Sequence, residues 1–341
     1  MQAVSILNPG KFQYIEIPQP DFGENDVLLR THTVGFCGTD LHIFNGTNPL
    51  VTYPRIPGHE IAAIIEKTGR RVPSHIQPGA HVTLSPLQTC GKCSACKRQR
   101  FNCCAKARVM GVHRDGAFTN FITAPWQSLF VAEKLSFSEL ALVEPLTIGF
   151  HAVDRAQITS EDKVAVLGCG AIGLGVIAAA SERGAKVIAV DIVDGKLDLA
   201  QKIGATGSVN SKSSNLQEKL HELTGGEGPD VIIEAVGAPE TFLAAVQHVA
   251  PAGRVVYVGW SKQPITYDTK NFILKELDIR GSRNSLPKDY HSVIEYLEQS
   301  RFPVQEVVNL TVPFSEAGNA LRTWSDAPSQ FTKIQVTFNP A

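Results

Sequence analysis

The 341-residue sequence has almost no excess of either charge: 32 lysines and arginines face 33 acidic side chains, leaving a formal net charge of −1. That balance removes the electrostatic footprint expected of a dedicated nucleic-acid binder or a basic membrane-surface protein. Long charge runs, low-complexity tracts and internal repeats are absent, and a 43 % hydrophobic content excludes disorder. No charged n-region, apolar stretch and small-residue cleavage site opens the chain, since Met1-Gln2-Ala3-Val4 leads straight into an alternating segment. The mature chain is therefore expected to begin near Met1. Unbroken apolar runs are also scarce. Val164 to Ser181 lacks formal charge over about the length of a bilayer span, but Gly168, Gly170, Gly173 and Gly175 interrupt it, so it reads as strand, tight turn and helix. No disulfide framework is legible: the 7 cysteines are an odd number, crowded between Cys90 and Cys104, which suits a metal site in a reducing compartment. A soluble, cytoplasmic chain is expected, and its length favours two domains.

Before about residue 148, short runs such as Val27 to Arg30, Ile61 to Glu66 and His81 to Leu84 are separated by Gly, Pro and Asn, the pattern of an irregular, mostly β domain. From Lys163 apolar strands alternate with helical patterns. Val164 to Leu167, Val187 to Val190, Val231 to Glu234 and Val255 to Val258 read as buried strands of an α/β, doubly wound parallel sheet covered by helices. Beyond Gly281 a helix near Tyr290 to Ser300 and a strand near Lys333 to Phe338 are expected to rejoin the first domain.

Gly168-Cys169-Gly170-Ala171-Ile172-Gly173 follows the strand Val164 to Leu167 and opens a helix. The first glycine permits the tight turn, the second lets backbone approach a pyrophosphate, and the third lets helix and strand pack closely. Asp191 closes the next strand, where a carboxylate can accept from both adenosine ribose hydroxyls and repel a 2′-phosphate; NAD is expected over NADP. Lys196 could add a ribose contact. The expected cofactor residues are thus Gly168, Gly170, Ile172, Gly173, Asp191 and Lys196, with Val258 and Gly259 at the end of a later strand.

Cys90-x-x-Cys93-x-x-Cys96, with Cys104 after seven intervening residues, offers four thiolates in one loop, enough to close a tetrahedron around a structural zinc. Cys103 adjoins Cys104, and spacing alone does not choose between them. A second, dispersed set comprises Cys37-Gly38-Thr39-Asp40-Leu41-His42, Gly58-His59-Glu60 and Glu144-Pro145. Taken singly, His59 reads as a structural histidine, Cys37 as a small buried apolar residue and Glu144 as a cap or ion-pair member.

Together these motifs resemble, over essentially the whole chain, the zinc-dependent medium-chain alcohol and polyol dehydrogenases, in the branch of sorbitol and threonine dehydrogenases. The resemblance implies a GroES-like catalytic domain at 1–148 and 284–341, with a structural zinc lobe near 86–108. It also implies a Rossmann NAD-binding domain at 149–283, with the active site in the cleft. Two zincs per chain are implied. The catalytic one would be held by Cys37, His59 and a carboxylate, Glu60 or Glu144, either ligating directly or holding a water on the metal. The structural one would be held by Cys90, Cys93, Cys96 and Cys104. One departure is Ala63, where the family usually has a glycine three positions after the G-H-E glutamate; it bears on strand packing rather than ligation.

An open-sided zinc is a Lewis acid that lowers the pKa of a bound hydroxyl, readying the carbinol hydrogen for transfer to nicotinamide. The resemblance supports Thr39 as proton acceptor and His42 as relay to solvent. Asp40 is a candidate to accept the other ring N–H of His59 and fix its tautomer. The loops Asn48-Pro49 to Tyr53-Pro54-Arg55, Gly111 to Gly116 and Gly281 to Asn284 resemble those of bacterial sugar-acid dehydrogenases such as the L-galactonate and L-gulonate 5-dehydrogenases. They lean toward a sugar acid or polyol as substrate, with Arg114, Arg283 and Asn284 as substrate contacts. A threonine-type amino-alcohol dehydrogenase and a non-catalytic nucleotide-binding relic are the competing readings. Neither nucleic acid nor membrane is an expected partner. The strand near Leu277 to Gly281 would leave a sheet edge open to a second copy, and the resemblance suggests a homodimer or homotetramer.

Overall fold

In a computed structural model, residues 1–299 and 302–338 are described. The chain divides into two compact units, one formed by Met1–Glu144, Leu286–Ser300 and Val304–Ala341, the other by Pro145–Ser285 and Arg301–Pro303. The boundary falls inside one helix, between Glu144 and Pro145.

The first unit is mostly β. A hairpin pairs β1 (Gln2–Asn8) with β2 (Lys11–Glu16), and a two-stranded ribbon pairs β6 (Leu87–Gln88) with β7 (Arg108–Val109). The main sheet contains β3 (Asp26–Phe36), β4 (Glu60–Thr68), β5 (His81–Leu84), β8 (Phe121–Pro125), β9 (Leu129–Val131) and two late strands, β16 (Val308–Pro313) and β17 (Lys333–Thr337). Its order is β16-β17-β3-β4-β5-β9, with β8 also on β3. The three early runs read from sequence lie within β3, β4 and β5, and the expected final strand is β17. Hydrophobic side chains at 0–1 % exposure, including Leu29, Val34, Phe36, Ile61, Ile65 and Phe118, form the core around this sheet. Phe36 and Phe118 stack at 4.3 Å. The helix expected near Tyr290 to Ser300 spans Pro287–Glu298, and Ser300 lies outside the described residues.

Two register pairs do the functional positioning. β3 and β4 are antiparallel with Gly35 opposite Glu60, and β17 is antiparallel to β3 with Ile334 opposite Phe36. The exit of β3 therefore lies beside the entries of β4 and β17. Cys37, His59-Glu60 and Lys333, far apart in sequence, arrive at one end of one sheet.

The second unit is a six-stranded, all-parallel sheet: β10 (Lys163–Leu167), β11 (Lys186–Asp191), β12 (Gly207–Asn210), β13 (Val231–Glu234), β14 (Arg254–Tyr257) and β15 (Asp278–Gly281). The order β12-β11-β10-β13-β14-β15 reverses direction of growth between β10 and β13, the switch point where such sheets bind ligands beyond their strand ends. The four buried strands read from sequence and the edge strand expected near Leu277 to Gly281 are five of the six, although β14 stops at Tyr257, one residue short. β12 escaped because Gly-Ser-Val-Asn offers one buried apolar side chain, Val209, and no run. Among the described residues no helix is long and apolar enough to cross a membrane. Val164 to Ser181 is instead β10, a glycine turn and most of the helix Ala171–Glu182.

Candidate functional site

Cys37 leaves β3 and caps the N-terminus of α1 (Gly38–Phe44). Asp40, fully buried, accepts from the backbone N–H of Cys37 at 2.9 Å and of Gly58 at 3.2 Å, tying the two ligand-bearing loops to one carboxylate. The same carboxylate faces His59 Nδ1 at 3.8 Å. This is an ion-pair distance rather than the hydrogen bond expected from the sequence, so Asp40 holds His59 mainly through the backbone at Gly58. His59 Nδ1 is buried without a hydrogen-bond partner among the described residues. Burial pushes the His59 pKa down, but Asp40, the Cys37 thiol within hydrogen-bonding reach and Glu144 outweigh it and raise it well above its ordinary value. An imidazole drawn by that much negative charge sits where a cation is favoured.

The two candidate carboxylates differ. Both oxygens of Glu60 accept from the Lys333 ammonium, at 2.6 and 2.7 Å, and Lys333 also donates to the Phe36 carbonyl at 3.0 Å. Both side chains are buried, and burial alone would lower the Lys333 pKa, but Glu60 and the thiol of Cys37 raise it. Gly35 makes room: a Cβ there would overlap the Glu60 carboxylate. Glu144 lies in α2 (Phe137–Ala156), buried, and its carboxyl is pushed up to about 7 by burial, with His59 drawing it down and Glu60 pushing it up. Cys37, His59 and Glu144 are thus electrostatic neighbours, but Glu60 is engaged elsewhere. Their ligand atoms do not close together as tightly as the cysteine cluster, the one group of three or more among the described residues whose ligand atoms all lie within 4.8 Å of one another.

In that cluster the sulfur separations are 3.5 Å for Cys93–Cys96, 3.5 Å for Cys90–Cys104 and 4.0 Å for Cys93–Cys104. A tetrahedron with zinc–sulfur bonds of about 2.3 Å has edges of about 3.8 Å, so the spacing fits. Backbone N–H groups of Cys96 and Ala105 draw the Cys93 thiol down to about 6, and burial with the neighbouring thiols Cys93 and Cys104 pushes Cys96 up to about 12. Such a set ionises fully only around a cation. Cys104 is buried in the cluster, whereas Cys103 is exposed with its sulfur 3.9 Å from Arg100, so the choice left open by spacing goes to Cys104.

In the second unit, Gly168 takes φ +95° and its N–H donates to the Val190 carbonyl, while Gly170 caps α3 (Ala171–Glu182). A Cβ on Gly173 would overlap the Gly168 carbonyl, the close packing expected of the third glycine. Asp191 ends β11. One oxygen accepts from Cys169 N–H at 2.7 Å and the other from Ile192 and Val193 at 2.7 and 3.0 Å. A carboxylate has about four acceptor positions; one is taken by the glycine turn and two by the backbone that follows β11. Ile172 and Lys196 are half-buried, and Val258 and Gly259 follow β14.

Sequence reasoning missed Glu234. It is fully buried at the end of β13, accepts from Val236 and Gly237 N–H and the Thr241 hydroxyl, and its backbone carbonyl accepts from Val258 and Gly259. It thereby joins the loops after β13 and β14. Lys333 was missed too, and its signal was a charge opening an otherwise buried strand. Thr39 is half-buried on α1, and His42 is exposed, with Nδ1 3.1 Å from the Thr47 hydroxyl. Arg283 is exposed and Asn284, half-buried, takes φ +47°.

The chain matches the family "Alcohol dehydrogenase GroES-like domain" over residues 23–134 and "Zinc-binding dehydrogenase" over 171–299. It is 33 % identical to an uncharacterized zinc-type alcohol dehydrogenase-like protein of Haemophilus influenzae, covering 99 % of each chain. It is 32 % identical to the L-galactonate-5-dehydrogenase of Escherichia coli, over 88 % of this chain and 87 % of the other. A crystal structure titled short chain alcohol dehydrogenase (rspB) from E. coli CFT073, complexed with NADH, superposes with a TM-score of 0.92 at 29 % identity, over 99 % of each chain.

Proposed function

The chain belongs to the zinc-binding alcohol dehydrogenases with a GroES-like domain, and on that premise we propose that it oxidises a secondary hydroxyl of a sugar acid or polyol with NAD. One observation carries the reading: three strands deliver a thiol, an imidazole and the Glu60–Lys333 pair to one sheet end, where Glu144 is also an electrostatic neighbour of His59. Thiol, imidazole and carboxylate are the donor types of an open catalytic zinc site, and the four clustered cysteines are those of a closed structural one. We assign Cys37, His59 and Glu144 as ligands of the catalytic metal. Glu60 is held back by Lys333.

When bound, zinc supplies a Lewis acid that makes a substrate hydroxyl more acidic, and NAD supplies the hydride acceptor. The protein does the positioning. Asp40 fixes the backbone at Cys37 and Gly58, so two ligands from different strands keep their spacing. Thr39, two residues beyond Cys37, takes the hydroxyl proton, and His42, exposed beside Thr47, passes it to solvent. Backbone N–H groups of Gly168 to Gly173 and the helix N-terminus that follows would hold the pyrophosphate. The remaining acceptor position of Asp191, with Lys196, would hold the adenosine ribose. Glu234 sets the loops that carry Val258 and Gly259, and Arg283 and Asn284 add substrate contacts.

The test is a panel of L-galactonate, L-gulonate, sorbitol and L-threonine followed at the NADH absorbance band, with zinc counted per chain. The expected result is NAD-dependent turnover of a sugar acid or polyol by protein holding two zincs. Turnover of threonine alone, or one zinc and no turnover, contradicts it.

A further inference from the structure

Residues 111–116 form a loop that carries one unusual cation. Gly111 takes φ +79°, and a Cβ on it would press at 2.9 Å on the backbone N and O of Gly58, while one on Gly116 would overlap the carbonyls of Pro57 and Gly58. Gly116 N–H donates to Ile56 at 2.8 Å and Ala117 N–H to Gly58 at 3.0 Å. The loop is therefore locked, backbone on backbone, against the residues that lead into His59.

The loop's own acid is not available to its own arginine. Asp115 accepts from Arg55 at 2.9 Å and from Ile56 N–H at 3.2 Å. Arg114, half-buried beside it, has a buried Nε with no partner, and its guanidinium makes no hydrogen bond or ion pair among the described residues. The charged group nearest in kind makes matters worse. Arg108, on β7 at the exit of the cysteine lobe, donates to the His113 carbonyl at 3.1 Å, the peptide that precedes Arg114. Burial and this second guanidinium both push the Arg114 pKa down. A half-buried cation next to a like charge, with a buried Nε–H that meets no acceptor, is an unfavourable arrangement that a bound anion would relieve.

We propose that Arg114, backed by Arg108, is the anion subsite of the candidate active site, so that the substrate carries a carboxylate or phosphate at one end of its hydroxylated chain. This rests on the dehydrogenase reading above and narrows it: a neutral polyol leaves the guanidinium unpaired, whereas either anion can take two parallel N–H···O bonds from it. The subsite selects substrates by their charge, and Arg114 acts on binding more than on the chemical step.

Two measurements on the zinc-loaded enzyme test this. The first compares kcat/KM for L-galactonate, galactitol 1-phosphate and galactitol in wild type, Arg114→Gln and Arg114→Lys. The expected result is a preference for one anionic compound over galactitol of about 50-fold or more, the scale of a charge-assisted bidentate contact. The preference should collapse in Arg114→Gln through a higher KM with kcat little changed, and be partly kept in Arg114→Lys. Which anion is preferred separates carboxylate from phosphate. The second needs no turnover: L-galactonate or inorganic phosphate should raise the Tm of wild type, and not that of Arg114→Gln, whose Tm without anion should match wild type. Anion-dependent stabilisation without turnover of any compound would sink the dehydrogenase reading and keep the subsite. Equal turnover of galactitol and both anions, or an anion preference that survives Arg114→Gln, overturns the subsite and leaves the dehydrogenase. Neither an anion preference nor an Arg114-dependent Tm shift overturns it as well.

Discussion

The four-cysteine lobe and the Cys37–His59 site are both built from metal-ligand side chains in the same unit, yet they reach different degrees of closure. In the lobe, ligands within 15 residues of one another meet at sulfur–sulfur distances of 3.5–4.0 Å. Neighbouring backbone N–H groups already favour the thiolate at Cys90 and Cys93, while burial opposes it at Cys96. In the dispersed site the proposed ligands come from two strand ends and a helix, and the carboxylate nearest in sequence to His59 is committed to Lys333. The lesson is that ligand identity and site closure are separate properties. A contiguous loop can close on its metal and leave no open position, as a structural role requires. A site assembled by sheet register can keep one donor in reserve and one place vacant, as catalysis requires.

The largest expected effect separates the two regions outright. Cys37→Ala or His59→Ala should lower kcat/KM by roughly 10⁴-fold, the scale of losing a Lewis acid. Zinc content should fall from two to one while the cysteine cluster keeps its metal. Loss of both zincs would show the regions to be one cooperative system. Lys333→Met comes next. It leaves the buried Glu60 carboxylate without its cation and should cost about 3–5 kcal/mol in chemical denaturation, much of it restored when Glu60→Gln is added. An undiminished cost in the double variant would mean that Lys333 contributes through packing.

A smaller effect concerns pH. With zinc removed, the Glu144 carboxyl titrates near 7 against an ordinary 4.5. The folded chain then binds more protons than the unfolded one between those values, so stability should fall as pH rises through that window, by roughly 3 kcal/mol in all. Zinc requires the ionised carboxylate and should remove that fall, as should Glu144→Gln in the metal-free protein. A flat metal-free profile in wild type would break the assignment of Glu144. The smallest effect is a contrast within the lobe. Cys104→Ser should release its zinc, whereas Cys103→Ser, changing an exposed thiol outside the cluster, should keep it and alter stability by less than about 0.5 kcal/mol.

Much of this was legible in the sequence because it is local. The glycine turn, Asp191 at the next strand end and the cysteine spacing each lie within one or two elements, and apolar runs marked β10, β11, β13 and β14. What was illegible is register. That Gly35 faces Glu60 depends on pairing between strands 25 residues apart, and that Lys333 starts a strand alongside the exit of β3 on pairing across about 300, which no local window of sequence contains. The choice between Glu60 and Glu144 turned on that one lysine. Asp40 was identified as a partner of His59, but its two backbone acceptances from Cys37 and Gly58 follow from a loop–loop approach that spacing does not encode. Glu234 was read only as a strand end because its partners belong to two later loops.

The most direct test is anomalous diffraction at the zinc edge from crystals of the zinc-loaded protein. The account predicts two peaks per chain. One should lie among Cys90, Cys93, Cys96 and Cys104. The other should be bounded by Cys37 Sγ, the His59 ring and the Glu144 carboxylate, with Glu60 still bonded to Lys333. A single peak at the four cysteines, or a second peak ligated by Glu60 with Lys333 released, would contradict it.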